Sequence, residues 1–422
     1  MVLDEFKVKR LGKTIWYISK YFSIGMQGNV GTRSWFLMEE FSNRNVEVLV
    51  LTSDSNHLNQ NLSLHSKVVF EDIAGVKVIW LRTFKHKIAK SFGRVLGWLH
   101  FEWNIFFLNK KKLPCPDTII VSSLSLLTII NGYLLKRKYK CKLVFEIRDI
   151  WPLTIIEEGG FSKNNPLIWA LGLLEKFGYK KSDVIVGTMP NLGEHVAKVL
   201  GSHRKVHCIP MGVSNQMLED TSPVDQAYLE KYLDKRFFNI VYSGTIGITN
   251  ALEVFFRAAA QMLDTNKGIR FIVVGEGALK KYFEDTYGHL ENVIFAPAVN
   301  KNQVHSVLCK ADLVYFSTYK SKVWNYGQSL NKVIDYMLSG RPVLASYSGY
   351  PSMINEAGCG YFVPAEDIRA LIKKILEIYS MSEQDRLSVG AKGRNWLLAN
   401  RRYPDLAERY LAIIYPDTRC EM

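Results

Sequence analysis

Three stretches of this chain are built the same way. Thr14–Ser19 (T-I-W-Y-I-S), Phe238–Ser243 (F-N-I-V-Y-S) and Arg270–Gly275 (R-F-I-V-V-G) are short apolar runs, and each passes into glycines and then into a helical pattern. Runs of this length, bounded by glycine turns, read as strands buried on both faces, and buried parallel strands need helical crossovers. Strand, glycine turn, helix, strand is a right-handed βαβ unit. The same succession opens both halves of the chain, so the pattern predicts an α/β protein with two doubly wound domains. A length of 422 residues, 48% of them hydrophobic, allows two or three domains with sizeable cores.

In the first half, a helix over Ser34–Phe41 and a strand over Val46–Leu51 complete the opening unit. Strands then follow over Asp117–Ser122, Lys142–Ile147 and Asp183–Val186, with a helix to about Tyr133 and another over Asn191–Leu200, and Val206–Pro210 closes the sheet. The loop between the first strand and helix carries Gly25, Gly28 and Gly31, which let backbone approach a ligand without making a G-x-G-x-x-G fingerprint. A polar connection over Gln216–Lys235 leads into the second half. There the strands Asn292–Phe295 and Ala311–Phe316, a helix over Glu366–Met381 and an amphipathic run over Tyr403–Ile414 are expected.

Trp324–Ser346 (W-N-Y-G-Q-S-L-N-K-V-I-D-Y-M-L-S-G-R-P-V-L-A-S) concentrates the chemistry. A loop runs into a short helix that Gly340 stops, which puts unpaired N–H groups at Ser329, Leu330, Asn331 and Lys332. An anion belongs at such a helix start. Lys332 adds a full charge, and Asp335, one turn on, is placed to accept hydrogen bonds from hydroxyls. Phosphate together with vicinal hydroxyls describes a nucleotide, although an amphipathic helix with solvated Lys and Asp has the same pattern. Gly244 and Gly247, flanking Thr245 after one strand, allow further main-chain N–H groups to face an anion, and Gly275 and Gly277 form a G-x-G turn after the next. At the end of the strand Lys142–Ile147 stand Arg148 and Asp149. Strand ends of an open α/β sheet face its ligand, so the arginine suits a phosphate and the carboxylate a hydroxyl proton; an ion pair closing the strand reads identically.

Net charge is +14, which points to an acidic partner. Residues 84–113 interleave seven Lys or Arg with Trp and Phe against one acid, Glu102, and this is the composition of a helix in an anionic membrane interface. Ordinary core aromatics with surface lysines give the same composition. Six scattered cysteines without a C-x-x-C pair, an N-terminus without a signal-peptide run, and no apolar stretch of about 20 residues predict a cytoplasmic, reduced chain. Cys359 has no histidine near it in sequence and reads as a packed small residue, and His195 as a surface residue.

The run S-x-N-K-x-x-D-Y-M-x-x-G-x-P-V at 329–343 resembles the signature of glycosyltransferase family 4, in the variant common among bacterial surface-polysaccharide transferases. R-D-x-W-P at 148–152, I-P-M-G-V-S at 209–214, V-V-G-E-G at 273–277 and G-C-G-x-x-V-P at 358–364 resemble further blocks of it. The resemblance implies a GT-B fold: two Rossmann-like doubly wound domains facing an interdomain cleft. Residues 1–210, with a crossover helix in 402–422, would bind the acceptor, and residues 211–401 the nucleotide-sugar. It also implies Gly28 and Asn29 in the loop facing the donor diphosphate, Asp335 on the ribose, and Val299 in the loop whose main chain meets the nucleobase. The chain departs from the family pattern in three places: Gly327 stands where the widespread form has a second glutamate, the 148–152 block has no histidine, and the loop after Gly247 has neither Arg nor Lys. Asp149, Arg148 and Lys332 are then the candidates for catalysis.

The implied chemistry is sugar transfer with retention, from a UDP-sugar to a polyprenyl-diphosphate-linked saccharide. The resembled subgroup moves N-acetyl-L-fucosamine and related amino sugars in O-antigen and capsule assembly at the inner face of the cell membrane. The sequence has no Asp-x-Asp pair, so no metal and no other cofactor is expected. Two other classes remain at this level. One is a GT-B epimerase acting on UDP-N-acetylglucosamine, and the other is a basic nucleic-acid-binding protein, for which no module signature occurs.

Overall fold

The computed structural model describes residues 12–25, 31–55, 64–85 and 92–416. The chain forms two compact units, Met1–Pro210 with Tyr403–Met422, and Met211–Arg402.

The first unit is built on an eight-stranded sheet in the order β3-β4-β2-β1-β5-β6-β7-β8. Its strands are β1 (Thr14–Ile18), β2 (Glu47–Ser53), β3 (Val68–Ile73), β4 (Val76–Leu81), β5 (Thr118–Ser122), β6 (Lys142–Ile147), β7 (Val184–Gly187) and β8 (Val206–Cys208). All pair in parallel except β3, which runs antiparallel to β4. The sequence reading did not contain this hairpin. Its turn residues, Ala74 and Gly75, both take positive φ (49° and 76°), as a two-residue hairpin turn requires, but Ala-Gly is a weak cue beside Asn-Gly.

Alternate strand residues sort to the two faces of the sheet. Ile15, Tyr17, Val50, Ile120 and Val144 meet α1 (Arg33–Asn43) and the C-terminal helix Tyr403–Ile414 in one core. Phe36 stacks on Tyr403 at 5.1 Å, and Phe41 meets Tyr410 edge-on at 5.6 Å. The other face takes α2 (Phe92–Phe107), α3 (Thr128–Tyr139) and α4 (Pro166–Lys181). Close approach there depends on glycine. A Cβ on Gly132 would lie 2.6 Å from Val121, and one on Gly178 would lie 2.5 Å from Phe145. α3 runs on past Tyr133 through a basic Lys136-Arg137-Lys138 turn, where the apolar signal of the sequence had already ended.

A buried polar network joins these layers. Arg33 pairs with Glu146 at 2.8 Å and donates to the Ile209 carbonyl at 2.7 Å, while Glu146 also accepts from Tyr17 at 3.0 Å and Tyr410 at 3.2 Å. Burial pushes the Glu146 carboxyl up, but Arg33 and Arg148 outweigh it and hold the group below its ordinary range.

The second unit is a six-stranded, wholly parallel sheet in the order β11-β10-β9-β12-β13-β14. Its strands are β9 (Phe238–Ser243), β10 (Ile269–Val274), β11 (Val293–Ala296), β12 (Leu313–Ser317), β13 (Val343–Ser346) and β14 (Gly360–Val363). This is the doubly wound order that reverses between its first and fourth strands, here β9 and β12, and ligands bind off the strand ends at such a reversal. A helix over Glu383–Asn400 was not expected from the sequence. Over its first three turns it approaches its neighbours through glycines, with Leu397 entering the core only near its end: a Cβ on Gly390 would lie 2.1 Å from the Gly340 carbonyl, and one on Gly393 would lie 2.8 Å from Cys359.

Candidate functional site

At the carboxyl ends of β9 and β10 the two glycine turns are laced together by backbone. Gly244 N donates to Val274 O at 3.0 Å, Ile246 N to Glu276 O at 2.9 Å, and Leu279 N to Ile246 O at 3.1 Å. A Cβ on Gly275 would stand 2.0 Å from the Gly244 carbonyl oxygen, and one on Gly277 2.2 Å from that of Ile246. No side chain fits at either position, so bare backbone faces the space above the sheet.

α5 (Asn331–Leu338) is fastened to the same strand end. The buried Tyr336 hydroxyl donates to Ser243 O at 3.0 Å and accepts from Ser243 N at 2.9 Å, while Val333, Ile334 and Met337 enter the core. Leu330 occupies the N-cap and brings no side-chain oxygen to the first turn. Lys332 leaves that turn and reaches back to the glycines. A Cβ on Gly244 would be 3.7 Å from Lys332 Cε. Its ammonium donates to the Asn250 side-chain oxygen and, at 3.1 Å, to the Tyr242 hydroxyl, and lies 4.7 Å over the Tyr242 ring. All of these partners are neutral. Burial therefore goes uncompensated and lowers the ammonium to about 8.

Asp335, half-buried, is paired with Lys301 from the short turn after β11. That turn also carries Val299, packed against the core, and the Pro297 carbonyl accepts from Tyr228 at 2.8 Å. Thr245 is exposed, and its carbonyl accepts from Tyr242 at 2.6 Å and Asn250 at 2.8 Å. The structure thus gathers Gly244, Thr245, Gly275, Gly277 and Lys332 at one strand end, with Ser329, Leu330 and Asn331 at the entry of α5 and Asp335 beside Lys301. Tyr242, Asn250 and Lys301 were missed by the sequence reading. Each is an ordinary residue type in sequence and is brought to the site only by the fold.

In the first unit, Gly28 and Asn29 lie outside the described residues. Arg148 and Asp149 leave β6 half-buried. Their amides donate to Ser123 Oγ at 2.9 and 3.4 Å, and the Arg148 guanidinium donates to Ser34 Oγ at 3.3 Å. Beside them Trp98 donates to the Tyr21 hydroxyl at 2.9 Å and meets Trp151 edge-on at 5.3 Å. Two expectations are corrected here. His195 is buried rather than on the surface, with Nε2 2.6 Å from Glu175. Lys110, expected among the membrane-docking lysines, is turned inward to cap α2, donating to the carbonyls of Ile105, Phe106 and Leu108. Cys359 is fully buried, and burial pushes its thiol up to about 12, far from a thiolate.

Residues 238–381, which hold the laced turns and α5, match the sequence family described as Glycosyl transferases group 1. This segment is a glycosyltransferase domain. No curated protein matches the chain. Among solved structures, sucrose-phosphate synthase from Thermosynechococcus elongatus superposes with a TM-score of 0.69 at 16% identity, covering 97% of this chain and 100% of that one. The trehalose-6-phosphate structure from E. coli bound with UDP-2-fluoro glucose gives 0.72 at 12% identity (95% and 99%), and HepE from Anabaena in complex with UDP and glucose gives 0.65 at 12% (96% and 100%). The fold is GT-B, with the glycosyltransferase domain as its second unit. Among the described residues no group of three or more His, Cys, Asp or Glu is gathered as a metal ion would need, and no helix is long and apolar enough to cross a membrane.

Proposed function

We propose that this chain transfers a sugar, with retention of configuration, from a UDP-sugar to a hydroxyl of a polyprenyl-diphosphate-linked saccharide in bacterial surface-polysaccharide assembly. The donor sugar we assign is an N-acetylated amino sugar such as N-acetyl-L-fucosamine. One observation carries this reading: Lys332 is held among neutral oxygens between the Gly244 turn and the uncapped first turn of α5. A buried ammonium without an anion, aimed at open amides, is a preorganised site for one. The UDP compounds held by HepE and by the E. coli relative support a uridine diphosphate as that anion.

The bond from the sugar's C1 to the diphosphate oxygen breaks, and the leaving group keeps the electron pair. Donors already in place where that charge develops are the largest stabilisation to expect. The acceptor oxygen forms the new bond to C1 on the same face, and its proton passes to the leaving phosphate, so no protein base is obligatory. Asp149 and Arg148 of the first unit are assigned to the acceptor side, and Gly28 and Asn29 to the donor diphosphate. In the glycosyltransferase domain Asp335 takes the ribose hydroxyls, Lys301 orients its carboxylate, and main chain near Val299 meets the base. With no Asp-x-Asp in the sequence, the counter-charge rests on Lys332 and the amides, and the transfer needs no metal.

Binding of UDP at 100 times its dissociation constant should raise stability by about 2.7 kcal/mol. Lys332→Ala should cut turnover at least about 100-fold while leaving the fold intact by circular dichroism, and Asp335→Asn should weaken UDP binding in calorimetry. Full activity in both variants would place the site elsewhere.

A further inference from the structure

α2, α3 and α4 lie side by side on the sheet face opposite α1 and the C-terminal helix. Helices laid on a sheet ordinarily turn apolar side chains inward and polar ones outward. These three carry apolar side chains on both sides. α2 buries Trp98, Phe101 and Ile105, yet its outer stripe is Leu99, Trp103 and Phe107, spaced four residues apart, with Trp103 64% exposed. Phe106 and Trp103 both touch the Phe107 ring, at 5.0 and 4.5 Å, so the aromatics form one surface. α3 adds Ile130 and Leu134, and α4 adds Leu173 and Trp169, the latter 68% exposed. Monomers rarely leave large contiguous apolar patches open without a use.

The charges on this layer are of one sign. Arg137 and Lys138 end α3, Lys176 and Lys180 line the exposed side of α4, and Lys111 and Lys112 follow α2, all facing solvent. The three helices contain two acids, and neither faces outward. Glu102 is held by Thr128 at 2.5 Å and Asn131 at 2.7 Å, and Glu175 is buried on His195 and Tyr179.

We propose that the outer face of α2, α3 and α4 lies flat on an anionic phospholipid leaflet, with its Trp and Phe side chains in the headgroup boundary and its lysines among the phosphates. Amphipathic aromatic and basic surfaces bind in that plane. A lipid leaflet supplies negative charge across the whole face, whereas two copies related by a two-fold axis would set lysines against lysines. The surface rests on the reading of a membrane-held acceptor and extends it well past residues 84–113, to a second tryptophan-bearing helix 60 residues away that charge density alone does not single out. It also accounts for where α2 is anchored. Through Trp98, α2 contacts Tyr21 beyond β1 and Trp151 beyond β6, the strand end that bears Arg148 and Asp149, so the leaflet is one helix away from the acceptor side of the unit.

The test is flotation of the full-length protein with phosphatidylcholine vesicles, with and without phosphatidylglycerol. The wild type should float only with the anionic vesicles. Trp103→Ser with Phe107→Ser, and separately Trp169→Ser with Leu173→Ser, should each weaken binding at least about tenfold. Lys176→Ser with Lys180→Ser should weaken it about 25-fold, at about fivefold per lysine. Phe70→Ser, equally exposed on the edge strand β3, should change nothing. The proposal is overturned if the α4 pair floats like wild type, if wild type binds pure phosphatidylcholine equally, or if the variants lose only self-association in sedimentation. UDP binding is measured in parallel on every variant. Its absence in the wild type would end the transferase reading while the flotation result still judges the face.

Discussion

At the scale of single residues the outcome turns on what each buried charge faces. Lys332 faces neutral oxygens, and its proton, ordinarily retained to about pH 10.5, is released near pH 8 in the free protein. Folding therefore pays a cost for this group below about pH 8 that fades as the pH rises. An arriving diphosphate needs the ammonium, so UDP affinity should be flat to about pH 7 and about tenfold weaker at about pH 9. Calorimetry across that range on wild type and Lys332→Met checks this, the variant being weak and flat. Glu146 is the opposite case, a buried charge fully engaged. Glu146→Gln strands the Arg33 guanidinium and should lower stability of the first unit by about 3–5 kcal/mol in urea unfolding, with Arg33→Met recovering part of the loss in the double variant. The placement of Lys332 and Asp335 on the first turns of a helix was legible in the sequence because a helix start is local. Glu146 was not, because its partners Arg33, Tyr17 and Tyr410 are up to 264 positions away.

Among elements, the strand-end turns are fixed by absent atoms. Gly275→Ala pushes a methyl group into the Gly244 carbonyl, so the two turns must part, and the substitution should lower stability by more than about 2 kcal/mol and weaken UDP binding together. Thermal unfolding with and without UDP reads both effects. Such turns show in a sequence, since G-T-I-G and G-E-G each follow an apolar run. Elements whose contacts are not apolar stripes stay hidden. The β3–β4 hairpin has one strand mostly in solvent, and the Glu383–Asn400 helix packs through Gly390 and Gly393 before Leu397 reaches the core. Lys110 shows the converse. Composition assigned it to a surface, but the free carbonyls at the end of α2 are nearer and take it.

For the whole molecule, two compact units imply two unfolding events rather than one midpoint. Ending the chain after Arg402 removes Tyr403, Leu406, Tyr410 and Ile414 from the first core and leaves the second untouched. Scanning calorimetry of that truncation should lose one transition and keep the other, whereas a single shifted transition would show that the units do not melt separately. The fold at this scale was legible from the repeated order of strand, glycine turn and helix, because only parallel sheets with crossovers satisfy it.

The helix that completes the first core is synthesised only after the whole second unit. Synthesis therefore delivers every residue of the downstream unit while the upstream one is still open, exposing a hydrophobic groove along α1 for the time needed to translate nearly 200 codons. A nonsense codon just ahead of Tyr403 would accordingly disable the upstream unit and spare the downstream one.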